Sequence, residues 1–117
     1  MEAHAIQRTV RQSPRKMRLV VDLIRGKPVG EAFSILKFSK KGAAKSVSKV
    51  LLSAVSNARQ KALAASERLD EDDLVVRAVT VDEGPTLKRM QPAAMGRGMP
   101  LKKRTSHVRI LVATKEH

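Results

Sequence analysis

Apolar residues recur at helical spacing in the first half of the chain and predict three helices. Ser13 can accept backbone N–H groups and Pro14 has a preset helical φ, so the first helix begins there. Gly26 is a residue type that commonly ends a helix, so the first helix is predicted to end there. The apolar face of this helix consists of Met17, Val20, Val21 and Ile24. A second, shorter helix is predicted from Pro28 to Phe38, and its buried side is Ala32, Phe33, Ile35 and Leu36.

The third helix is the longest, from Lys40 to about Ala65, and Ser39 is expected to cap it. Its apolar stripe is rich in Ala, which allows close approach to another element: Val47, Val50, Leu51, Ala54, Val55, Ala58 and Ala62. Lys41, Lys45 and Lys49 recur every four residues along it. Like charges at this spacing destabilise an isolated helix by about 0.2–0.5 kcal/mol per pair. Either a partner compensates this repulsion, or the lysines form a solvated face.

Alternating β-branched residues predict two strands in the last third of the chain. From Leu74 to Asp82, one face carries Val75, Val79 and Val81, and the other carries Leu74, Val76 and Ala78. From Thr105 to Thr114, one face carries Val108, Ile110 and Val112, and the other carries His107, Arg109 and Leu111. Together these strands indicate one extended antiparallel hairpin. Residues 3–12 lack a helical stripe. The prediction is an α+β fold in a single domain, residues 1–117, with three helices packed on a small three-stranded antiparallel sheet and a long protruding β-hairpin.

The two strands are joined by a long connection, Gly84 to Arg104, with the sequence GPTLKRMQPAAMGRGMPLKKR. It contains six Lys or Arg and no acid. A structureless connection longer than about 12–15 residues inside a compact domain usually has a function. Its prolines remove backbone donors, and its Met side chains cannot bury themselves in so short a segment. We therefore expect this segment to be an extended hairpin tip that a nucleic-acid partner orders.

The charge of the chain indicates the kind of partner. The formal net charge is +13, and Lys and Arg outnumber the acids fourteen to three in residues 1–66, whereas five acids crowd into residues 67–73. Self-repulsion opposes the compact state, so this surplus indicates a polyanionic partner. Aromatic platforms for bases are scarce, because Phe33 and Phe38 fall within the apolar helical pattern and are expected in the core. The remaining mode of nucleic-acid recognition is contact of Lys and Arg with the phosphate groups and with the shape of the nucleic acid.

Other kinds of chemistry find little support. The chain has no cysteine, no apolar run beyond four residues and no apolar stretch typical of a secretory signal, so we expect a soluble, cytoplasmic protein without membrane insertion. Two Ser-x-x-Lys patterns, Ser13–Lys16 and Ser46–Lys49, share only two fixed letters with a catalytic motif. The histidines lack metal-ligand spacing, and the acidic cluster lacks the features of a calcium loop. We expect no enzyme activity, cofactor, metal or small-molecule substrate.

Several segments carry a resemblance to a known family. The runs SPRKMRLVVDLIRGKPVGEAFSIL, FSKKGAAKSVSKVLLSAVSNA and VDEGPTLKRMQP, followed by GRG and KKRTSHVRILV, resemble the bacterial large-subunit ribosomal protein twenty-two family. The similarity keeps the same order and covers nearly the whole chain. It implies a small α+β domain on the outer surface of the large subunit, with a long hairpin that runs through rRNA to the wall of the exit tunnel. It also implies a role in assembly and no catalysis.

The resemblance also implies site residues and partners. The rRNA contacts that it implies lie in the first helix and its exit, and along the hairpin: Arg15, Lys16, Arg18, Arg25, Lys27, Lys88, Arg89, Arg97, Lys102, Lys103, Arg104 and His107. Lys41 and Lys45 of the third helix are added as candidates. Tunnel exposure is expected for Met90, Gln91, Pro92, Ala93, Ala94, Met95, Gly96 and Arg97. The implied partners are large-subunit rRNA, neighbouring large-subunit proteins and the nascent polypeptide at the hairpin tip.

The sequence departs from the family pattern at the tip. Ala93 and Met95 replace residues that are commonly basic, and Gly98-Met99-Pro100 replaces a more polar link. We therefore expect the tunnel wall to be less cationic at this tip. The candidates for the side chain that faces the lumen of the tunnel are Gln91 and Met95. Composition alone also fits a DNA-architectural protein, because a basic hairpin with prolines near its tip can wedge a base step. A membrane-active peptide precursor is disfavoured by weak apolar anchors.

Overall fold

The computed structural model describes residues 2–92, 96 and 98–114, and within them the chain forms three helices and five strands. The helices are α1 (Pro14–Ile24), α2 (Val29–Phe38) and α3 (Ala43–Ala64). The strands are β1 (Glu2–Val10), β2 (Leu74–Glu83), β3 (Leu87–Pro92), β4 (Gly98–Lys103) and β5 (Ser106–Thr114). A short 3₁₀ turn, Glu71–Asp73, precedes β2.

The helices cover one face of an antiparallel sheet with the strand order β1-β5-β2. α1 and α3 pack against the sheet, and α2 contacts both of them. The four residues of the α1 stripe are fully buried, and those of the α3 stripe are at most 3% exposed. From β5, Val108, Ile110 and Val112 point into this core. The α+β fold and the helical stripes predicted from the sequence are confirmed. None of the helices in the described part of the chain has the length and hydrophobicity to cross a bilayer.

α1 begins as predicted, whereas the expected cap of α3 is wrong. Ser13 Oγ accepts a hydrogen bond from the Lys16 N–H at 3.3 Å, which is the geometry of an N-terminal cap. Ser39 has extended backbone and ends α2, where its N–H donates to the carbonyl of Leu36. The chain then turns before α3 begins at Ala43 after Gly42. Ser39 therefore serves the end of α2 and the following turn.

One of the two phenylalanines does not lie in the core. Phe33 is partly buried against it, but Phe38 is 79% exposed and lies beside Lys37, whose Nζ is 6.0 Å from the ring centroid. At about 100° per residue, Phe38 is rotated by roughly 200° from the buried Leu36. The helical period therefore places Phe38 on the solvent side, and the expectation that it belongs to the core is wrong.

A β-bulge in β2 overturns the predicted assignment of its faces. Strict alternation would put Leu74 and Val76 opposite Val79 and Val81, but all four are buried. The pairing of β2 with β5 shifts register between Val76 and Ala78, so Arg77 is the extra residue. Because a bulge inserts one residue, the side chains after it change face. β5 keeps its period, and its predicted faces are confirmed.

Side chains from α3 satisfy carbonyl groups on the free edge of β1. Asn57 Nδ2 donates to the carbonyl of His4 at 2.9 Å, and Lys61 Nζ donates to the carbonyl of Glu2 at 2.9 Å. An open edge strand is a template for pairing with another chain. These two contacts occupy part of that edge while they fix the position of α3 over the sheet.

The long connection predicted between the last two strands contains strands of its own. β2 and β5 pair up to Glu83 and Ser106, and β3 then pairs with β4 from Leu87 and Lys103 to Pro92 and Gly98. The protein is elongated, with principal extents of 66 × 27 × 17 Å. The hairpin therefore continues well beyond the sheet as a two-stranded ribbon.

Candidate nucleic-acid interface

The basic residues predicted on α1 and at its exit lie on the side away from the core. Arg15, Lys16 and Arg18 are exposed, as are Arg25 and Lys27. Their orientation follows from the buried stripe, because a helix that buries one face presents the other to solvent. The sequence pattern therefore located this cationic face correctly, although their binding to rRNA stays a prediction.

Two of these arginines also hold the edge of β2. Arg25 Nη1 donates to the carbonyl of Val79 at 2.7 Å, and Arg18 Nη2 donates to the carbonyl of Val81 at 3.1 Å. These bonds fix the two guanidinium groups and cover acceptors on an edge strand. Sequence reasoning missed this second role, because the acceptors are backbone carbonyls more than 50 residues away and leave no mark in the side-chain pattern.

A groove joins the start of α1 to the base of the hairpin. Its volume is about 320 Å³. Three arginines line it together with one acid and the cap of the helix: Ser13, Pro14, Arg15, Arg18, Glu83 and Arg104. We call it the arginine groove. It brings together candidates that are far apart in sequence, since Arg15 and Arg104 come from opposite ends of the chain.

A second groove brings Lys16 together with Lys41 of the turn before α3. Its volume is about 440 Å³, and it is also lined by Gln12, Leu19, Gly42 and the first residue of α3, Ala43. Lys45 is exposed one turn further along α3. Lys49 lines a different groove, against β1, next to Ile6. The row of lysines predicted on α3 is thus divided between two surfaces.

The base of the hairpin is built by the two segments that carry the family resemblance, DEGP and KRTSH. The buried Thr105 donates from Oγ1 to the carbonyl of Pro85 at 2.6 Å, and Gly84 N–H donates to the carbonyl of Thr105 at 2.9 Å. The buried Ser106 donates to the carbonyl of Gln12 at 3.0 Å. These bonds explain why glycine occurs in the first segment and hydroxyl residues occur in the second: they join the ribbon to the domain.

His107 is half-buried at this base and has a structural partner. Its Nδ1 accepts the backbone N–H of Thr9 at 2.9 Å, and Thr9 has a φ of 57° where β1 shifts register. In this arrangement the ring carries its proton on Nε2. Only that nitrogen is left to donate, so the predicted contact with rRNA would be made through Nε2–H.

Along the ribbon, the register places cations opposite each other. Lys88 pairs with Lys102, and both side chains are exposed, as is Lys103 next to them. Like charges directly opposite each other on paired strands are unfavourable. Such a pair is compatible with a polyanion lying along the ribbon.

The rest of the predicted tip is described only in part. The backbone of Arg89, Met90, Gln91 and Pro92 lies in β3, and Gly96 has a positive φ of 72°. The candidates that fall outside the described residues are Ala93, Ala94, Met95 and Arg97. Tunnel exposure therefore stays a prediction for the whole tip.

The described part of the chain also bears on the metal and Ser-x-x-Lys alternatives. No group of three His, Cys, Asp or Glu side chains there is placed to hold a metal ion. The hydroxyl of Ser13, which belongs to one Ser-x-x-Lys pattern, caps α1 by accepting the Lys16 N–H. The arrangement of α1, α3 and the hairpin instead presents cations on several surfaces.

Comparison of the sequence with known proteins shows the family to which the chain belongs. Residues 5–113 match the family described as Ribosomal protein L22p/L17e. The chain is similar to the large ribosomal subunit protein uL22 of Desulfitobacterium hafniense (strain Y51), with 53% identity over 115 residues that cover 98% of this chain and 96% of that protein. The match spans the three helices, the sheet and the hairpin. The chain therefore belongs to the ribosomal protein L22p/L17e family.

Proposed function

We propose that the protein, a structural constituent of the large ribosomal subunit, binds large-subunit rRNA through α1, α3 and the hairpin. The observation that carries the proposal is the arginine groove, in which Arg15, Arg18 and Arg104 converge from two distant segments. Guanidinium groups suit phosphate because their planar fork makes paired hydrogen bonds. The scarcity of aromatic side chains, with two Phe and no Tyr or Trp, favours contacts with phosphate and shape over base stacking.

The hairpin gives the proposal its second part. The ribbon of β3 and β4 extends from the sheet and carries Lys88, Lys102 and Lys103 on its surface. We infer that it enters the rRNA, that its tip lines part of the exit tunnel near the nascent chain, and that contacts at both ends assist subunit assembly. The elongated shape supports a protein that reaches between separate rRNA regions. Its place of action is the cytoplasm, within the large subunit.

Cell fractionation tests this function. A lysate is separated on a sucrose gradient at high salt, and the protein is followed by mass spectrometry. We expect near one copy per large subunit, because a ribbon enclosed by rRNA does not dissociate when salt screens its surface charges. Release to the top of the gradient, or migration with chromosomal DNA, would overturn the proposal and favour a DNA-architectural protein.

A further inference from the structure

We propose that the arginine groove binds one phosphodiester group of the RNA, which Arg15 and Arg104 grip from opposite sides and which thereby fixes the hairpin base to α1. The inference rests on the proposed binding of rRNA and specifies it at one site. Arg15 lies in the first turn of α1, and Arg104 lies between β4 and β5, at the point where the ribbon rejoins the sheet. Both side chains are exposed and line the same groove of about 320 Å³.

Arg18 lines the same groove. Because its Nη2 donates to the carbonyl of Val81, the guanidinium is held in place before any ligand arrives. A guanidinium has five N–H donors, so this bond leaves others for a phosphate. A prearranged donor loses less side-chain entropy on binding than a free one does. Arg18 therefore positions the ligand, while Arg15 and Arg104 close around it.

Glu83 is the acid of the groove, and its carboxylate would lie close to a bound phosphate. In the free protein its charge offsets repulsion among the three arginines. With a phosphate in the groove, the two anions repel each other, so Glu83 lowers the affinity. Glu83 thus limits how tightly this site holds RNA.

Salt dependence separates one shared phosphate from two independent contacts. Each neutralised phosphate contributes about 0.7–0.9 to the slope of log affinity against log salt concentration. If Arg15 and Arg104 share a phosphate, the other one still neutralises it in each single variant, and the slope stays unchanged. If each binds its own phosphate, each single substitution lowers the slope.

Filter binding of the purified full-length protein to a full-length bacterial large-subunit rRNA transcript, over a series of KCl concentrations, measures both quantities. We expect Arg15→Ala and Arg104→Ala each to weaken binding about 10-fold, and the double variant about 20-fold instead of about 100-fold. The slope should stay unchanged in each single variant, whereas independent phosphates would lower it by about 0.7–0.9 in each. Arg68→Ala, with the same charge change on an exposed residue before β2, is the matched control.

A gain of affinity provides a second test that misfolding cannot imitate. Glu83→Gln should tighten binding about 3- to 10-fold, since it removes the repelling charge. Glu67→Gln makes the same charge change near the end of α3 and should alter binding less than about 2-fold.

The outcomes distinguish the two proposals. A wild-type protein that does not bind the transcript would remove the proposed function and this site with it. Binding by the wild type, with a lower slope in each single variant or equal effects of Glu83→Gln and Glu67→Gln, would overturn the shared phosphate alone.

Discussion

Thr105 occupies the space that a side chain on residue 84 would need. A Cβ on Gly84 would lie 2.5 Å from Thr105 Oγ1 and 3.3 Å from His107 Cε1. Thr105 is 1% exposed, and its Oγ1 donates to the carbonyl of Pro85 at 2.6 Å, so it cannot move aside without losing that bond. The two segments at the hairpin base therefore approach so closely that only glycine fits.

Gly84→Ala should destabilise the protein by about 1–3 kcal/mol, the usual cost of forcing an extra carbon into a packed site. The measurement is the free energy of unfolding from urea denaturation followed by circular dichroism. Gly30→Ala is a suitable control, because a Cβ at that position in α2 meets nothing within 4 Å. That control should leave stability the same or slightly raise it.

Removing the clashing atom should rescue the variant. In a Thr105→Ala background, Gly84→Ala should cost less than about 1 kcal/mol, since residues in contact do not contribute additively. Equal costs of Gly84→Ala in the two backgrounds would mean that the contact with Thr105 is not the cause.

Substitution of Arg25 and substitution of Lys27 should differ in their effect on stability but both weaken RNA binding. Arg25→Ala removes the 2.7 Å bond to Val79 on the edge of β2 and should lower the free energy of unfolding by about 1 kcal/mol. Lys27→Ala makes the same charge change on an exposed side chain and should alter stability by less than about 0.5 kcal/mol. We expect both to weaken rRNA binding. Thermal unfolding and filter binding of the same two preparations test this, and equal stability of the two variants would contradict it.

The sequence predicts best those features that repeat along the chain. The stripes of α1 and α3 and the alternation of β5 are such features, and each matches the residues that are buried. The bulge at Arg77 could not be read in this way, because apolar residues flank Arg77 on both sides along the strand, so an apolar face can be drawn with or without an inserted residue. The prediction that Ser39 caps α3 was wrong for a related reason: a serine between two helices suits the end of one as well as the start of the next.

For the candidate site, the sequence predicts which residues are cationic and which of them face solvent. It does not predict which ones meet. Arg104 comes directly before β5, which pairs with β2 in the sheet, and β2 packs against α1. Only this arrangement brings Arg104 into the same groove as Arg15. The bond between His107 and Thr9 likewise depends on a shift of register in β1. Contacts between distant segments require the fold itself.

Leu51 and Leu52 are neighbours in α3 with opposite environments. Leu51 is fully buried, whereas Leu52 is 57% exposed. Leu51→Ala should cost about 2–5 kcal/mol, because it removes buried methyl groups and leaves a cavity, and Leu52→Ala should cost less than about 0.5 kcal/mol. Urea denaturation of the two variants checks this. Similar midpoints would mean that α3 packs on the sheet through another face.

The ribbon should be dispensable for folding but required for stable association with the subunit. Among the residues whose side chains the structure describes, none between Val81 and Val108 belongs to the hydrophobic core, and the three helices end before residue 65. We therefore expect a variant in which an Asn-Gly turn replaces residues 87–103 to keep its helical circular dichroism and cooperative unfolding, since such a turn closes a two-stranded hairpin. In the high-salt gradient it should leave the large-subunit peak, because it lacks the ribbon that we propose rRNA encloses, and salt screens the remaining surface charges. Full retention there would mean that the globular part alone anchors the protein, whereas loss of cooperative unfolding would mean that the ribbon stabilises the core.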